Sequence, residues 1–151
     1  MNTLKIQSEI LKALIKGTPV KCSFHHTDKV FITLDGKVDY IIPDHDLKLR
    51  LGEAEEIAPA IMDTALQTAL EPWNLLEGTD TYRRAGTARK YLNADGKEVY
   101  VDQGQLKCFD RPKLYQEPDN ALIVVTEDIY EAGAPIVVGV VCPINIEKEN
   151  D

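Results

Sequence analysis

The sequence predicts an α+β fold, in which a hairpin-rich, mainly antiparallel sheet carries two or three helices. Alternating and β-branched stretches of strand length are separated by turn signals, and two of these turns read Asp-Gly-Lys, at 35–37 and 95–97. The order of elements also repeats, with helix, strand and strand in residues 11–43 and again in residues 106–143. Such a duplicated unit predicts one composite sheet with its helices on a single face.

Length and composition indicate a single globular domain. The chain has 151 residues, 44% of them hydrophobic, and a net charge of -8. We expect one α+β domain over residues 1–146, followed by an acidic tail at 147–151. No apolar stretch approaches the length of a membrane span, and the start lacks a signal-peptide core, which predicts a cytoplasmic protein without membrane contact. Cys22, Cys108 and Cys142 lie in apolar or amphipathic stretches and are interpreted as structural thiols in the core.

The first elements follow from periodicity and caps. Residues 4–6 alternate like a short strand, and Ser8 could then cap a helix that ends at Gly17. The apolar residues of this helix, at helical spacing, are Ile10, Leu11, Leu14 and Ile15. Residues 30–34 and 38–42 are predicted to form a hairpin around Asp35-Gly36.

The middle of the chain predicts a strand, a helix and a loop. Residues 47–51 alternate as a half-buried strand, and residues 53–73 carry an apolar face typical of a long helix. Within a helix, proline is tolerated only in the first turn, so the position of Pro59 predicts that the regular helix begins at about Ala58 and ends at Pro72. Residues 74–84 are predicted to be a loop.

The last third predicts further strands. A second hairpin is expected between residues 90–92 and 99–101, with Asn93 to Gly96 as its turn. Residues 103–109 could form a short helix, and residues 113–115, 121–126 and 136–142 are read as strands. The last of these is apolar throughout, which indicates burial on both faces.

One segment is basic in an otherwise acidic chain. Arginine offers a planar fork for phosphate, and tyrosine offers a stacking surface, so this segment is the candidate contact for nucleic acid or another anion. Its residues are Tyr82, Arg83, Arg84, Arg89, Lys90 and Tyr91. The alternative is an exposed loop whose arginines pair with acidic side chains. A second basic row, read as the solvent side of the first helix, comprises Lys5, Lys12, Lys16 and Lys21.

Motifs for catalysis are sparse. The chain contains no phosphate-binding glycine motif and no nucleophile elbow, which favours a non-enzymatic protein and leaves the enzyme question open. The sequence predicts no metal site and no cofactor. The weak metal candidates are His25, His26 and His45, near Asp28, Asp44 and Asp46. Adjacent strand residues point to opposite faces, so His25 and His26 cannot both reach one ion without a bulge.

The order of elements resembles the duplicated unit within one domain of the bacterial sliding DNA clamp. The closing runs at 99–101, 105–109, 122–125 and 137–143 look like the end of such a domain. The resemblance implies that several copies assemble to encircle DNA, with basic helices facing the strand. No clamp motif aligns residue by residue, so no binding residue is carried over. The long central helix and residues 74–86 depart from the family pattern.

We therefore expect a non-enzymatic binding or assembly protein, clamp-like and associated with DNA replication or a mobile element. It should form a homo-oligomer or bind another protein, and the basic segment could add nucleic acid. One alternative is a small enzyme or ligand-binding protein with a His/Asp pocket. Another is a regulatory module that binds a partner protein through the helix at residues 57–73.

Overall fold

The computed structural model describes residues 1–34, 38–48, 57–128 and 135–146, and it confirms the α+β class. The two helices of this part are α1 (Thr3–Lys16) and α2 (Pro59–Leu66). The strands are β1 (Val20–His25), β2 (Lys29–Leu34), β3 (Val38–Pro43), β4 (Leu75–Arg83), β5 (Ala88–Leu92), β6 (Glu98–Asp102), β7 (Lys113–Tyr115), β8 (Ile123–Asp128) and β9 (Pro135–Val141). They form one sheet in the order β1-β2-β3-β9-β8-β7-β4-β5-β6, and neighbouring strands are antiparallel.

Two runs of three strands meet in the sheet in mirrored order. The run β1-β2-β3 lies beside β9-β8-β7, and the junction is the pairing of β3 with β9, where Tyr40 is opposite Gly139. A full helix, α1, precedes the first run, whereas only a short 3₁₀ turn at Gln103–Leu106 lies ahead of β7. The predicted helix at 103–109 is therefore a single turn, and a true duplication stays a prediction.

The helices lie on opposite faces of the sheet, so the expectation of helices on a single face is wrong. Ile6 and Ile10 of α1 join one apolar cluster, which includes Val30 of β2. Met62 of α2 joins another, which includes Phe31 of β2. Because successive strand residues point to opposite faces, strands that are apolar throughout present two surfaces that both need cover. The same alternation in β9 confirms its burial on both faces.

Both predicted hairpins have paired strands. The β2–β3 register places Leu34 opposite Val38, and the predicted Asp35-Gly36 turn lies outside the described residues. In the second hairpin, the Asn93 side chain accepts hydrogen bonds from the amides of Asp95 and Lys97, both at 2.9 Å. Gly96 adopts a positive φ of 80°, which glycine allows at little cost. The turn residues thus set the register of β5 and β6.

Helix α1 begins earlier than predicted. The predicted strand at residues 4–6 is wrong, because Asn2 caps the helix by accepting the Lys5 amide at 2.9 Å, and Ser8 lies inside the helix. Gly17 ends it in the left-handed region, with φ 75°, as expected. The early start places Ile6 on the buried face of the helix.

Helix α2 is shorter than predicted. It begins after Ala58 with Pro59 in its first turn, as expected, but it ends at Leu66.

Residues 74–84 are not a loop, since β4 occupies most of them. Most residues of β4 are exposed, and the strand is held by pairing with β5 and β7. Its sequence therefore lacks the apolar alternation of a half-buried strand.

The remaining expectations have mixed outcomes. Lys48 and the preceding Leu47 lie in no strand, and the rest of the predicted strand at 47–51 lies outside the described residues, as does the tail at 147–151.

Cys108 is buried, and burial raises the pKa of the half-buried Cys22 thiol. Cys142 is exposed, against expectation, because it follows the end of β9. Neither helix of the described residues is long and apolar enough to span a membrane.

Candidate functional site

The predicted basic segment spans the tip of the β4–β5 hairpin. Tyr82 lies opposite Arg89, and Arg83 lies opposite Ala88. Arg84 begins the 3₁₀ turn between the two strands and has a positive φ of 51°. The fold therefore brings the predicted residues together on one hairpin.

Arg89 is held within this hairpin. Its Nε donates to the Thr79 carbonyl at 2.8 Å, and its guanidinium carbon lies 5.5 Å from the Tyr91 ring centre and 5.9 Å from that of Tyr82. A side chain at Gly78 would meet the guanidinium at 2.6 Å, so glycine makes room for it. The Arg89 charge is thus directed toward two aromatic rings.

Lys90 and Tyr91 also have partners within the fold. Lys90 Nζ lies 2.9 Å from Glu98 Oε1 on the neighbouring strand. Tyr91 is buried, and its hydroxyl is 3.3 Å from Gln103 Oε1. These contacts balance part of the predicted positive charge, and Arg83 and Arg84 are the exposed cations of the segment.

Arg83 also lines a groove that the sequence did not predict. The groove has a volume of about 670 Å³ and lies between the start of β6, the β7–β8 connection and the segment after β9. Lys97, Gln116, Asn120 and Asn145 also line this groove. Ile144 closes one side, because its amide donates to the Tyr100 carbonyl at 2.8 Å. The groove's volume of about 670 Å³ is typical of small-molecule sites.

The histidines do not form a metal site in the described structure. His25 Nε2 lies 2.9 Å from Asp63 Oδ1 of α2, and His25 Nδ1 is 2.7 Å from Thr27 Oγ1. The His26 ring packs 4.1 Å from the His25 ring, whereas the exposed His45 is 3.4 Å from Asp46. The described ranges contain no group of three or more His, Cys, Asp or Glu side chains that could hold a metal ion.

An apolar surface on the outside of the molecule was not predicted from the sequence. Of the residues predicted to form the apolar side of the first helix, only Ile10 is buried. Large apolar side chains at 47–84% exposure on α1 and β1 are Leu4, Leu11, Leu14, Ile15 and Phe24. We call these five residues the α1/β1 surface. The signal was present in the sequence, because α1 has more apolar residues than one buried stripe can hold.

The lysines of α1 lie on a separate side of the helix. Lys5 Nζ donates to the Lys107 carbonyl at 3.1 Å, and Glu9 lies 3.3 Å from Lys107 Nζ and 3.7 Å from Lys12 Nζ. Burial of the Glu9 carboxyl raises its pKa, but the hydrogen bond and charge of Lys107 and the charges of Lys12 and Lys5 lower it. Together they hold the pKa of Glu9 below its ordinary value. At about 100° per residue, Leu14 lies opposite these lysines on the helix.

Comparisons with protein-family models, with curated proteins and with solved structures found no match.

Proposed function

We propose that this chain is a non-enzymatic assembly protein whose copies associate through the α1/β1 surface. The observation that carries the proposal is the concentration of apolar exposure. Five of the eight large apolar side chains exposed in the described structure belong to this surface. Exposed apolar side chains grouped on two neighbouring elements favour an interaction site.

Strand β1 adds a polar component to the same surface. In the described part of the chain, β1 is the terminal strand of the sheet and has a neighbour on one side. A terminal strand presents unpaired main-chain amides and carbonyls, which an extended strand can satisfy. Cross-strand pairing places Phe24 opposite Val30, whose side chain points to the α1 face. Phe24 therefore projects from the same face of the sheet as α1.

A second copy is the occupant that this geometry favours. Two β1 strands related by a two-fold axis would pair antiparallel and present the same residues to each other. Lys5 of α1 contacts Lys107, and Lys12 contacts Glu9, on another side of the helix, which limits repulsion between like charges at the apolar stripe. The overall charge of -8 opposes association, so added salt should strengthen it.

Substitution of Phe24 or Ile15 by aspartate tests this proposal. We expect each variant to weaken self-association about tenfold or more, because it places a charge in an apolar contact, as measured by sedimentation velocity over a concentration series. The two side chains are 68% and 84% exposed, so the fold should survive.

Trp73→Asp is the matched control, since Trp73 is 62% exposed and lies outside the α1/β1 surface. It should associate like the wild type. Dissociation by Trp73→Asp with no effect of Phe24→Asp would place the self-association interface at Trp73 and contradict the proposal.

Association with DNA in a clamp-like assembly is a second candidate. It is favoured by the mirrored order of the two three-strand runs, which is compatible with a duplicated unit. Arg83 and Arg84 are the exposed cations of the basic segment, and Arg89 and Lys90 are only partly exposed.

DNA retention provides the test of this second candidate. The double variant Arg83→Ala plus Arg84→Ala should bind a short duplex more weakly. It should also reduce the steepness of log affinity against log salt concentration by about 0.9 for each phosphate that the protein no longer neutralises. Arg111→Ala plus Lys113→Ala removes two other exposed cations and should have little effect. Equal reductions in both double variants would indicate nonspecific attraction and contradict DNA binding at the hairpin tip.

A further inference from the structure

We infer that the groove beside β6 binds a nucleotide, either free or at the end of a nucleic acid strand. Its volume of about 670 Å³ lies within the range of small-molecule sites. It is formed by segments far apart in the sequence, from β4, β6, the β7–β8 connection and the residues after β9. This site is independent of the α1/β1 surface, because β1 and β6 are the two ends of the described sheet.

Two cations from different elements define where the phosphate would bind. Arg83 ends β4, and Lys97 precedes β6 in the tight turn at Gly96. Arginine and lysine form charge-assisted hydrogen bonds with phosphate oxygens. Glu98, which also lines the groove, is matched by Lys90 at 2.9 Å and so competes less for these cations.

The remaining side chains suit the nucleoside. Gln116 and Asn120 use part of their amides within the fold, since Gln116 Nε2 donates to the Ala121 carbonyl at 3.2 Å and Asn120 Oδ1 accepts from the Leu122 amide at 2.9 Å. The Gln116 Oε1 acceptor and the Asn120 Nδ2 donors can match the edge of a base. Tyr100 offers a ring on which a base can stack. Asp119 supplies a carboxylate that can accept hydrogen bonds from ribose hydroxyls. The groove thus presents the partners of all three parts of a nucleotide.

Calorimetric titration of the full chain tests this inference. The probes are adenosine monophosphate, adenosine, inorganic phosphate and a short single-stranded oligonucleotide with a 5′-phosphate. We expect the monophosphate to bind at least about tenfold more tightly than adenosine or phosphate alone, because only it engages both parts of the groove. Tighter binding of the oligonucleotide than of the monophosphate would assign the site to a strand end, and the reverse order to a free nucleotide.

Substitutions locate the binding. Lys97→Ala and Arg83→Ala should each weaken nucleotide binding about tenfold or more, as removal of a charge-assisted hydrogen bond predicts. Arg111→Ala is the control, because Arg111 is an exposed cation that does not line the groove. Thermal melting of each variant verifies that it is folded. Absence of nucleotide binding to the folded wild type, or equal weakening in Arg111→Ala and Lys97→Ala, would overturn the inference.

Discussion

Replacement of Glu127 by alanine is expected to lower the free energy of unfolding by about 3–5 kcal/mol. Glu127 lies on β8 and is 4% exposed. Its two carboxylate oxygens accept from the N-terminal ammonium of Met1 and from the Asp110 amide, both at 2.5 Å. Removal of the carboxylate would leave a poorly solvated positive charge and an unsatisfied amide. The start of α1 would also no longer be tied to β8.

Chemical denaturation monitored by circular dichroism measures this effect. Glu127→Gln, which keeps the shape and one acceptor but removes the charge, should fall between the wild type and Glu127→Ala. The control is Glu77→Ala on the exposed part of β4, which should change stability by less than about 1 kcal/mol. A decrease below about 1 kcal/mol for Glu127→Ala would show that this buried pair contributes little.

Gly139→Ala is expected to destabilise the junction between the two three-strand runs by about 3 kcal/mol. A Cβ at this position would lie within 2.8 Å of two Phe109 ring carbons and 2.9 Å from the Asp39 carbonyl oxygen. The ring cannot move freely, since its centre is 5.4 Å from that of the buried Tyr40. Backbone and aromatic core would have to shift together.

Gly104→Ala is the matched control for this substitution. The nearest atom to its added Cβ is the Asp102 Oδ1 at 3.1 Å, at the end of a half-buried side chain. Gly104→Ala should lower the free energy of unfolding far less than Gly139→Ala does in the same denaturation experiment. Similar stability of the two variants would mean that the β3–β9 junction tolerates an extra methyl group.

Much of the fold was predictable because its strongest signals are local. The Asn93 to Gly96 turn sets one hairpin, and Gly17 ends α1, each through conformations that few residues adopt readily. By contrast, β4 was predicted to be a loop, because pairing with its neighbours rather than burial holds it in place. Pairing between distant segments leaves little trace in a local pattern.

The sites were less predictable, for the same reason. The basic hairpin tip was identified from composition, but the sequence could not reveal that Arg89 packs between two tyrosine rings or that Lys90 pairs with Glu98. The groove joins Lys97 with Asn120 and Asn145, which only the tertiary fold brings together. For α1, helical spacing predicted the helix and its apolar residues, but spacing alone does not identify which of two stripes meets the sheet.

Hydrogen exchange of the β1 amides at increasing protein concentration tests assembly through the α1/β1 surface most directly. If copies pair along β1, the amides that point away from β2 should exchange more slowly at high concentration, and this protection should disappear in Phe24→Asp. Exchange of β1 that is independent of concentration, while light scattering shows an oligomer, would place the interface elsewhere and contradict the proposal.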